Sequence, residues 1–151
     1  MGEILIRPYE ERDWEAIEAI HDAARVQELA LAGLSEAFLP LKIAAEREDL
    51  FDYMLDVAEM DGRVVGFMAC TEDELAWLYV EPASMRRGVG RALTMHALRR
   101  AEGEMELEAL VGNVPARRLY EKCGFTLKDT VSGRMPGNES FRVKVWCMHH
   151  A

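Results

Sequence analysis

A short apolar strand that leads into a glycine-rich turn and then a helix is the feature that most restricts the fold of this chain. Residues 75–80 read Leu-Ala-Trp-Leu-Tyr-Val and end before Pro82, and residues 86–90 read Arg-Arg-Gly-Val-Gly before a helical stretch that reaches about residue 101. Aromatic and β-branched residues favour the strand, and proline ends it. The start of the helix directs free backbone N–H groups and the positive end of its dipole toward one point, so this unit predicts a site for an oxyanion or a phosphate.

The composition of the turn supports an anion site and argues against two common nucleotide motifs. Gly88 and Gly90 let the main chain approach an oxyanion without an intervening Cβ atom. Leu93 occupies the third glycine position of a Rossmann fingerprint, and the Gly-Lys-Ser/Thr of a Walker A loop does not occur. Three guanidinium groups surround the turn and add charge-assisted donors: Arg86, Arg87 and Arg91.

Hydrophobic periodicity in the rest of the chain predicts alternating strands and helices. Asp61-Gly62 between two β-prone runs predicts a tight hairpin, Asp13 is the expected cap of the first helix, and Gly124 is placed to end the last one. The order predicts a single α/β domain (α+β layered) over residues 1–151, with a mixed central β-sheet of about seven strands flanked by about four helices. Strands are expected at residues 4–8, 51–60, 63–71, 75–80, 105–111, 125–130 and 141–148, helices at residues 13–30, 42–49, from the glycine turn to about 101 and 115–122, and a loop at residues 132–138.

Charge and cysteine content restrict the class of protein. The formal net charge of -9 disfavours nucleic acid as a partner. No apolar run approaches the ~20 residues of a membrane span and no signal-peptide pattern opens the chain, so we expect no membrane partner and a cytoplasmic location. Residues 1–60 carry 5 basic and 15 acidic side chains, whereas residues 81–151 carry 12 and 8. Three widely spaced cysteines without a CxxC motif are expected to be reduced thiols: Cys70, Cys123 and Cys147.

Three motifs in order carry a resemblance to a known family. They are Leu-Tyr-Val-x-Pro at residues 78–82, Arg-Gly-Val-Gly-Arg-Ala-Leu at 87–93, and Asn-x-x-Ala-x-x-Leu-Tyr-Glu-Lys-x-Gly-Phe at 113–125. The chain resembles the GNAT superfamily of N-acetyltransferases, specifically so over residues 75–125. This resemblance implies an acceptor-side half at about 1–72, an acetyl-CoA-binding core at about 73–125 and a C-terminal strand pair at about 125–148.

The resemblance also implies where acetyl-CoA binds. The pyrophosphate would sit on the glycine turn, the backbone of the preceding strand would pair with the pantetheine arm, and Arg117 or Arg118 would reach the outer phosphate. Met85 stands where the family usually has Gln or Arg, and Arg86 can replace that side chain only electrostatically. The implied acetyl-CoA-binding residues are Leu78, Tyr79, Val80, Arg86, Arg87, Gly88, Val89, Gly90, Arg91, Ala92, Asn113 and Arg117.

The implied chemistry is direct attack of an amine on the thioester in a ternary complex. Tyr120 is the expected general acid for the leaving thiolate, with solvent as the alternative, because a phenol is protonated at neutral pH. The amine must lose a proton before attack, and the candidate bases are Glu108, Glu74 or water. Glu106 shares a strand face with Glu108, so a merely solvent-exposed face is the competing interpretation.

The acidic first half suggests the kind of acceptor. Residues 21–60 combine nine carboxylates with Phe38, Leu39, Phe51 and Tyr53, which suits a cationic amine or a peptide amino terminus. A non-catalytic acyl-CoA-binding sensor is the alternative function, although it would need neither Tyr120 nor a base. No metal site is expected, and the last two strands offer an edge for homodimer formation.

Overall fold

Seven strands and four helices build the protein, seen in a computed structural model that describes residues 2–151. Short 3-10 turns precede or link several of them, at Glu11–Asp13, Ser35–Ala37, Leu50–Asp52 and Pro82–Ser84. No helix in this part of the chain is both long and apolar enough to cross a membrane. In chain order the elements are β1 (Ile4–Pro8), α1 (Trp14–Leu31), α2 (Leu41–Arg47), β2 (Met54–Met60), β3 (Arg63–Cys70), β4 (Leu75–Val80), α3 (Val89–Arg100), β5 (Met105–Leu110), α4 (Val114–Lys122), β6 (Thr126–Met135) and β7 (Asn138–His150).

The predicted central sheet consists of two sheets that touch at one point. The first sheet has the order β1-β2-β3-β4 and the second has the order β5-β7-β6, and all pairs within them are antiparallel. A single parallel bridge between Glu74 and Glu106 joins β4 to β5, supported by a hydrogen bond from Glu106 N to Asp73 O at 2.8 Å. The mixed character of the sheet is thus confined to this junction.

Helices cover both faces of the first sheet. Because side chains alternate along a strand, β3 directs Phe67 and Ala69 toward the helices α1 and α2, and Met68 and Cys70 toward α3. The second sheet extends the α3-side core, where Met105 on β5 is fully buried. The three-layer arrangement places α1 and α2 on one side of the β4–β5 junction and α3 on the other.

The structure confirms both features that the sequence predicts at glycine, the Asp61-Gly62 hairpin and the end of α4 at Gly124. Asp61 and Gly62 have φ values of 55° and 77°, the left-handed pair that a tight hairpin between β2 and β3 requires. Gly124, with φ 99°, follows the last residues of α4 as expected. At Gly62 local backbone geometry alone selects the residue, whereas at Gly124 a Cβ would also approach His150 Nε2 to 2.9 Å.

Two strand boundaries differ from the predicted ones. The expected loop at residues 132–138 is mostly strand: β6 and β7 form a long hairpin that turns at Pro136 and Gly137. Ser132, Gly133 and Arg134 are exposed on β6, where backbone pairing with β7 rather than burial sets the conformation. At the other end, the strand expected from residue 51 begins at Met54, after a 3-10 turn.

Asp13 does not cap α1 as predicted. Its carboxylate accepts two hydrogen bonds from Arg7, at 2.8 and 2.9 Å, and a third from Glu10 N at 2.8 Å. The side chain therefore fixes β1 and the preceding 3-10 turn to each other, and makes no capping bond to the helix. Pairing with Arg7 holds the pKa of Asp13 below its ordinary value.

A buried ion pair attaches α3 to the first sheet. Asp56 on β2 is 2% exposed, and its Oδ2 lies 2.6 Å from Arg100 Nη1 and 3.5 Å from His96 Nε2. Both partners lie on α3, so the contact joins the helix to the middle of the sheet. Burying a carboxylate without a counter-ion is costly, which makes the arginine necessary once Asp56 occupies this position.

We expect Arg100→Met to lower the free energy of unfolding by about 3 kcal/mol, because it leaves Asp56 buried without its guanidinium partner. Urea unfolding followed by circular dichroism measures the change. Arg99→Met is the matched control, since Arg99 is the exposed neighbour on the same helix. Equal losses for both variants would contradict the assignment of a stabilising role to the Asp56–Arg100 pair.

Candidate functional site

The divergence of β4 from β5 opens the site. The two strands are bridged only at Glu74 and Glu106, near their amino-terminal ends, and no backbone hydrogen bond joins them further along within residues 2–151. The edge of β4 that faces β5 is therefore unpaired beyond residue 74. Because unpaired backbone groups at a sheet edge offer a row of donors and acceptors, an extended ligand with amide groups can add there as a strand would.

A cavity of about 500 Å³ lies at this opening, on the side of α1 and α2. It brings together five of the residues predicted from the sequence: Glu74, Leu78, Tyr79, Glu108 and Tyr120. The helices α1 and α2 and the turn between β6 and β7 complete its wall. The other lining residues are His21, Arg25, Glu28, Ala37, Leu39, Ala44, Arg47, Glu48, Tyr53, Leu75, Ala76, Trp77, Leu110, Met135, Pro136, Gly137, Asn138, Glu139, Val143 and Val145.

Tyr120 extends from α4 into this cavity. Its ring packs edge-on against Phe125, with ring centres 6.0 Å apart, and the residue is buried. Burial, and then the negative charge of Glu28, raises the pKa of Tyr120 above the ordinary value of a phenol. The hydroxyl is therefore protonated throughout the working pH range and can donate a hydrogen bond to a developing anion. Its role as a packing aromatic and its role as a donor are compatible.

The two candidate bases lie on neighbouring strands. Glu74 begins the β4 edge and Glu108 lies on β5, one strand period beyond the bridged Glu106. Desolvation at the wall, followed by the charge of Glu108, raises the pKa of Glu74, although much of its side chain is exposed. Two carboxylates that repel each other beside a cavity favour either proton uptake or the approach of a cation.

Glu28 on α1 is the centre of a hydrogen-bond network that ties three elements together. Its Oε1 accepts from Arg25 Nη1 at 2.6 Å and from Tyr79 Oη at 3.0 Å, and its Oε2 accepts from Asn113 Nδ2 at 3.4 Å. Tyr79 belongs to β4 and Asn113 precedes α4, so one carboxylate bridges the two sides of the opening. Burial and the charge of Glu28 raise the pKa of Tyr79 well above its ordinary value, so Tyr79 stays a donor.

Aromatic side chains form the wall that α1 shares with β4. The centre of the His21 ring lies 4.8 Å from the centre of the Tyr79 ring and 6.1 Å from that of the Trp77 ring. His21 Nδ1 is 3.0 Å from Asp22 Oδ1, whose carboxylate also accepts from Leu41 N at 2.8 Å. Burial lowers the pKa of His21, so its imidazole is neutral near pH 7.

The glycine turn lies outside the cavity, at the carboxyl end of β4. Gly88 has φ 85° and stands immediately before α3, so the free N–H groups of the first helical turn face outward from an exposed segment. Glycine is needed at position 90 for a different reason: a Cβ there would approach Leu119 Cδ2 on α4 to 3.0 Å. Arg86 also adopts a left-handed φ, of 66°. The exposed side chains of Arg87 and Arg91 flank the turn. Beside it, Val89 is buried, and Ala92 and Val80 are half-buried.

Two further predicted binding residues are engaged by the protein itself. Asn113 Oδ1 accepts from Ala116 N at 3.4 Å as the cap of α4, and its amide nitrogen points to Glu28. The Arg117 guanidinium stacks 4.8 Å from the centre of the Trp146 ring, and its Nε lies 3.3 Å from Glu121 Oε2. Arg118 is exposed on the same helix, and Met85 is exposed before the turn.

The acidic first half contributes less to the cavity than its composition suggests. Of the carboxylates in residues 21–60, only Glu28 and Glu48 line it, and Phe38 and Phe51 do not. Phe51 packs instead against Tyr9, with ring centres 5.6 Å apart. Asp56 is paired with Arg100 of α3.

The sequence carried one signal for the residues that were missed. His21, Arg25 and Glu28 follow each other at spacings of four and three, so they share one face of α1 with the apolar residues that pack on the sheet. Polar side chains inside an apolar stripe indicate a site rather than a solvent-exposed face. Glu139 had no such signal, because only the hairpin turn brings it to the cavity. Among residues 2–151, no group of three or more His, Cys, Asp or Glu side chains is placed to hold a metal ion.

Comparison with known proteins identifies the family. The model of the acetyltransferase (GNAT) family matches residues 11–125. Peptidyl-lysine N-acetyltransferase YiaC of Escherichia coli (strain K12) is 36% identical over 74 residues, which cover 48% of this chain and 50% of that protein. The chain thus matches about half the length of this relative.

Solved structures share the fold over the whole chain. The crystal structure of a GCN5-related N-acetyltransferase (aminotransferase, class-II) from Rhodopseudomonas palustris has a TM-score of 0.79 at 24% identity, covering 100% of this chain and 97% of that one. The structure of YncA from Salmonella typhimurium, solved with its cofactor acetyl-CoA, has a TM-score of 0.68 at 20% identity, covering 97% of this chain and 92% of that one. These similarities show a shared fold. The family match over most of its length confirms the resemblance read from the motifs: the chain belongs to the acetyltransferase (GNAT) family.

Proposed function

We propose that this protein transfers an acetyl group from acetyl-CoA to a primary amine. The observation that carries the proposal is that Tyr120, Glu108 and Glu74 line one cavity where β4 leaves β5. An acid candidate and two base candidates thus lie beside an open strand edge, with an anion-binding turn at the end of that strand.

Acetyl-CoA would bind mainly through the parts of the site that the protein leaves free. Its pyrophosphate would accept from the N–H groups of the turn from Arg87 to Arg91, and its amide-bearing pantetheine arm would pair with the β4 edge from Leu78 to Val80. The family match and the acetyl-CoA bound to YncA support this assignment. Asn113 and Arg117 would complete the site from α4, Arg117 held in place by the Trp146 ring.

The transfer needs one bond made and one broken. The amine, after losing a proton to Glu108, Glu74 or water, attacks the thioester carbonyl carbon; the new C–N bond forms and the C–S bond breaks. Backbone N–H groups of the β4 edge would stabilise the oxyanion. Tyr120 would donate a hydrogen bond and then its proton to the departing thiolate, which leaves as the thiol; its raised pKa keeps the phenol protonated until negative charge develops on sulfur.

Charge around the cavity favours a cationic acceptor. Five carboxylates line it, against two guanidinium groups, and one of the latter is already paired with Glu28. Peptide and small-molecule amines both fit this electrostatic description. A non-catalytic acyl-CoA sensor would bind the same cofactor, but it would not need the paired carboxylates beside Tyr120.

Location and assembly stay predictions. The three cysteines are free thiols, which is compatible with the cytoplasmic location inferred from the sequence. The outer edge of β6 has no strand partner within the described chain, so it could receive a second copy of the protein.

We expect Tyr120→Phe to lower kcat by about 10²–10⁴-fold, because it removes the donor to the leaving thiolate while keeping the ring that packs on Phe125. Acetylation of a pooled set of amines, followed by mass spectrometry and then by steady-state kinetics on the best acceptor, measures the effect. Tyr9→Phe is the control for loss of a phenol elsewhere, since Tyr9 does not line the cavity.

A kcat of Tyr120→Phe equal to that of the wild type would refute the acid assignment while leaving the transfer itself intact. If no amine gains an acetyl group although acetyl-CoA binds, the sensor interpretation replaces the enzyme.

Gly88→Ala tests the turn. We expect both Gly88→Ala and its control Gly33→Ala to lose about 1–2 kcal/mol of stability, because each puts a Cβ on a residue with left-handed φ and open space around it. Only Gly88→Ala should also weaken acetyl-CoA binding, since only it distorts the N–H groups of the turn. Thermal unfolding and isothermal titration calorimetry separate the two effects, and unchanged acetyl-CoA affinity in Gly88→Ala would contradict this site.

A further inference from the structure

The proposed transfer leaves one proton without an acceptor. An ammonium group loses its first proton before attack, to Glu108, Glu74 or water, and the free amine then forms the C–N bond. The bonded nitrogen is positively charged at that stage, and it must lose a second proton to become a neutral amide. The proton that Tyr120 would give to the thiolate is a different one. The site therefore needs a neutral base that can reach the attacking nitrogen.

His21 on α1 is a buried imidazole with one nitrogen held by the protein. The residue is 2% exposed, and its Nδ1 lies 3.0 Å from Asp22 Oδ1. Because a carboxylate can only accept a hydrogen bond, the proton of the neutral ring lies on Nδ1 and the lone pair on Nε2. Leu41 N donates to the same oxygen of Asp22 at 2.8 Å, which fixes the carboxylate in turn.

The other nitrogen of His21 is open to the cavity. Nε2 has no hydrogen-bond partner within residues 2–151. Among the described side chains, only Asp56 Oδ2, which is ion-paired with Arg100, is both fully enclosed and without a hydrogen bond. Nε2 is therefore accessible, and the surface to which His21 contributes is that of the 500 Å³ cavity. A buried acceptor without a partner at a cavity wall is available to a bound molecule.

The imidazole lies beside the part of β4 that is proposed to hold the thioester. Its ring packs edge-on against Tyr79, with 68° between the ring planes, and it also lies close to Trp77. These two residues flank Leu78, whose backbone edge is proposed to pair with the pantetheine arm. Tyr120, the proposed acid, lines the same cavity.

The charges around His21 leave it neutral and able to take up a proton. Burial lowers its pKa, the Asp22 and Glu28 carboxylates oppose that effect, and Arg25 adds to it. Tyr79 on β4 faces the ring as a neutral phenol, because its own pKa is raised. An imidazolium formed during the reaction would pair with Asp22, as in a catalytic triad, where the aspartate orients and stabilises the histidine.

We propose that His21 is a catalytic base of the transfer and that Asp22 is its positioning residue. Nε2 takes the second proton from the nitrogen once the C–N bond has formed, and the C–S bond then breaks as Tyr120 protonates the departing thiolate. The remaining imidazolium and phenolate return to their starting states by proton exchange with solvent. The inference rests on the proposed acetyl transfer, and it names a residue outside the three motifs read from the sequence.

Kinetics of His21→Gln on the full-length protein test the base. The acceptor is whichever amine the wild type acetylates fastest among spermidine, lysine and a short peptide with a free amino terminus. At saturating acceptor we expect kcat to fall by about 10²–10⁴-fold, the effect of losing a general base, with KM for acetyl-CoA close to the wild-type value. The wild-type kcat should decrease as the pH falls through the lowered pKa of His21, and this acidic limb should be absent from the variant.

Two further measurements separate catalysis from a merely structural role. In Asp22→Asn the carboxylate that raises the pKa of His21 is lost, so the acidic limb should move to lower pH. This variant keeps the imidazole, so it tests the assignment even if His21→Gln does not fold. Nitrogen NMR of the wild type should show His21 with its proton on Nδ1, and a ring protonated on Nε2 alone at neutral pH would refute the proposal.

His96→Gln is the matched control, because His96 also lies on a helix beside an aspartate, Asp56, and does not line the cavity. It should keep the wild-type kcat and acidic limb, and thermal melting shows whether each variant folds. An unchanged kcat in His21→Gln, or an acidic limb that survives in it, would overturn the assignment while leaving acetyl transfer intact. Acetylation of none of the three amines by the wild type would contradict the proposed function, and the role of His21 with it.

Discussion

The separation of β4 from β5 is the constraint on which the rest of the site depends. Two parallel strands that start side by side would normally continue as neighbours, but here one bridge at Glu74 and Glu106 ends the pairing. The unpaired β4 edge, the cavity and the position of Tyr120 all follow from this opening. The unpaired backbone groups of this edge can accept an extended ligand, as proposed above for the pantetheine arm.

Burial of charge decides which groups can act within the opening. Glu28 has three hydrogen-bond donors and serves as the fixed anion that joins α1, β4 and the start of α4. Glu48 and Glu74 lack such partners, and desolvation raises the pKa of both. The same physical effect keeps Tyr120 protonated. Satisfied carboxylates thus hold the site in shape, and unsatisfied ones are left to meet a proton or a cation.

Much of the fold and half of the site could be read from the chain alone. Strand β4, the glycine turn and the Asp61-Gly62 hairpin depend on interactions between residues close in sequence, and all three appear where expected. Tyr120 was predicted from a motif, Glu108 and Glu74 were candidate bases, and all three line one cavity. Asp13 was misread because its partner, Arg7, lies on another element, and a local pattern cannot show such a pairing.

The sequence by itself determined the family and the glycine turn, because a left-handed glycine at position 88 and the helix after it are local requirements of the backbone. Only the tertiary structure decided which residues line the cavity. Glu48 and Glu139 are far apart in the chain, and they meet because the β6–β7 hairpin folds its turn onto the end of α2. The number of carboxylates in the first half of the chain predicted an acidic surface. Which of these carboxylates face the cavity depends on how α1, α2 and the β6–β7 hairpin pack, because burial and pairing are properties of the assembled fold.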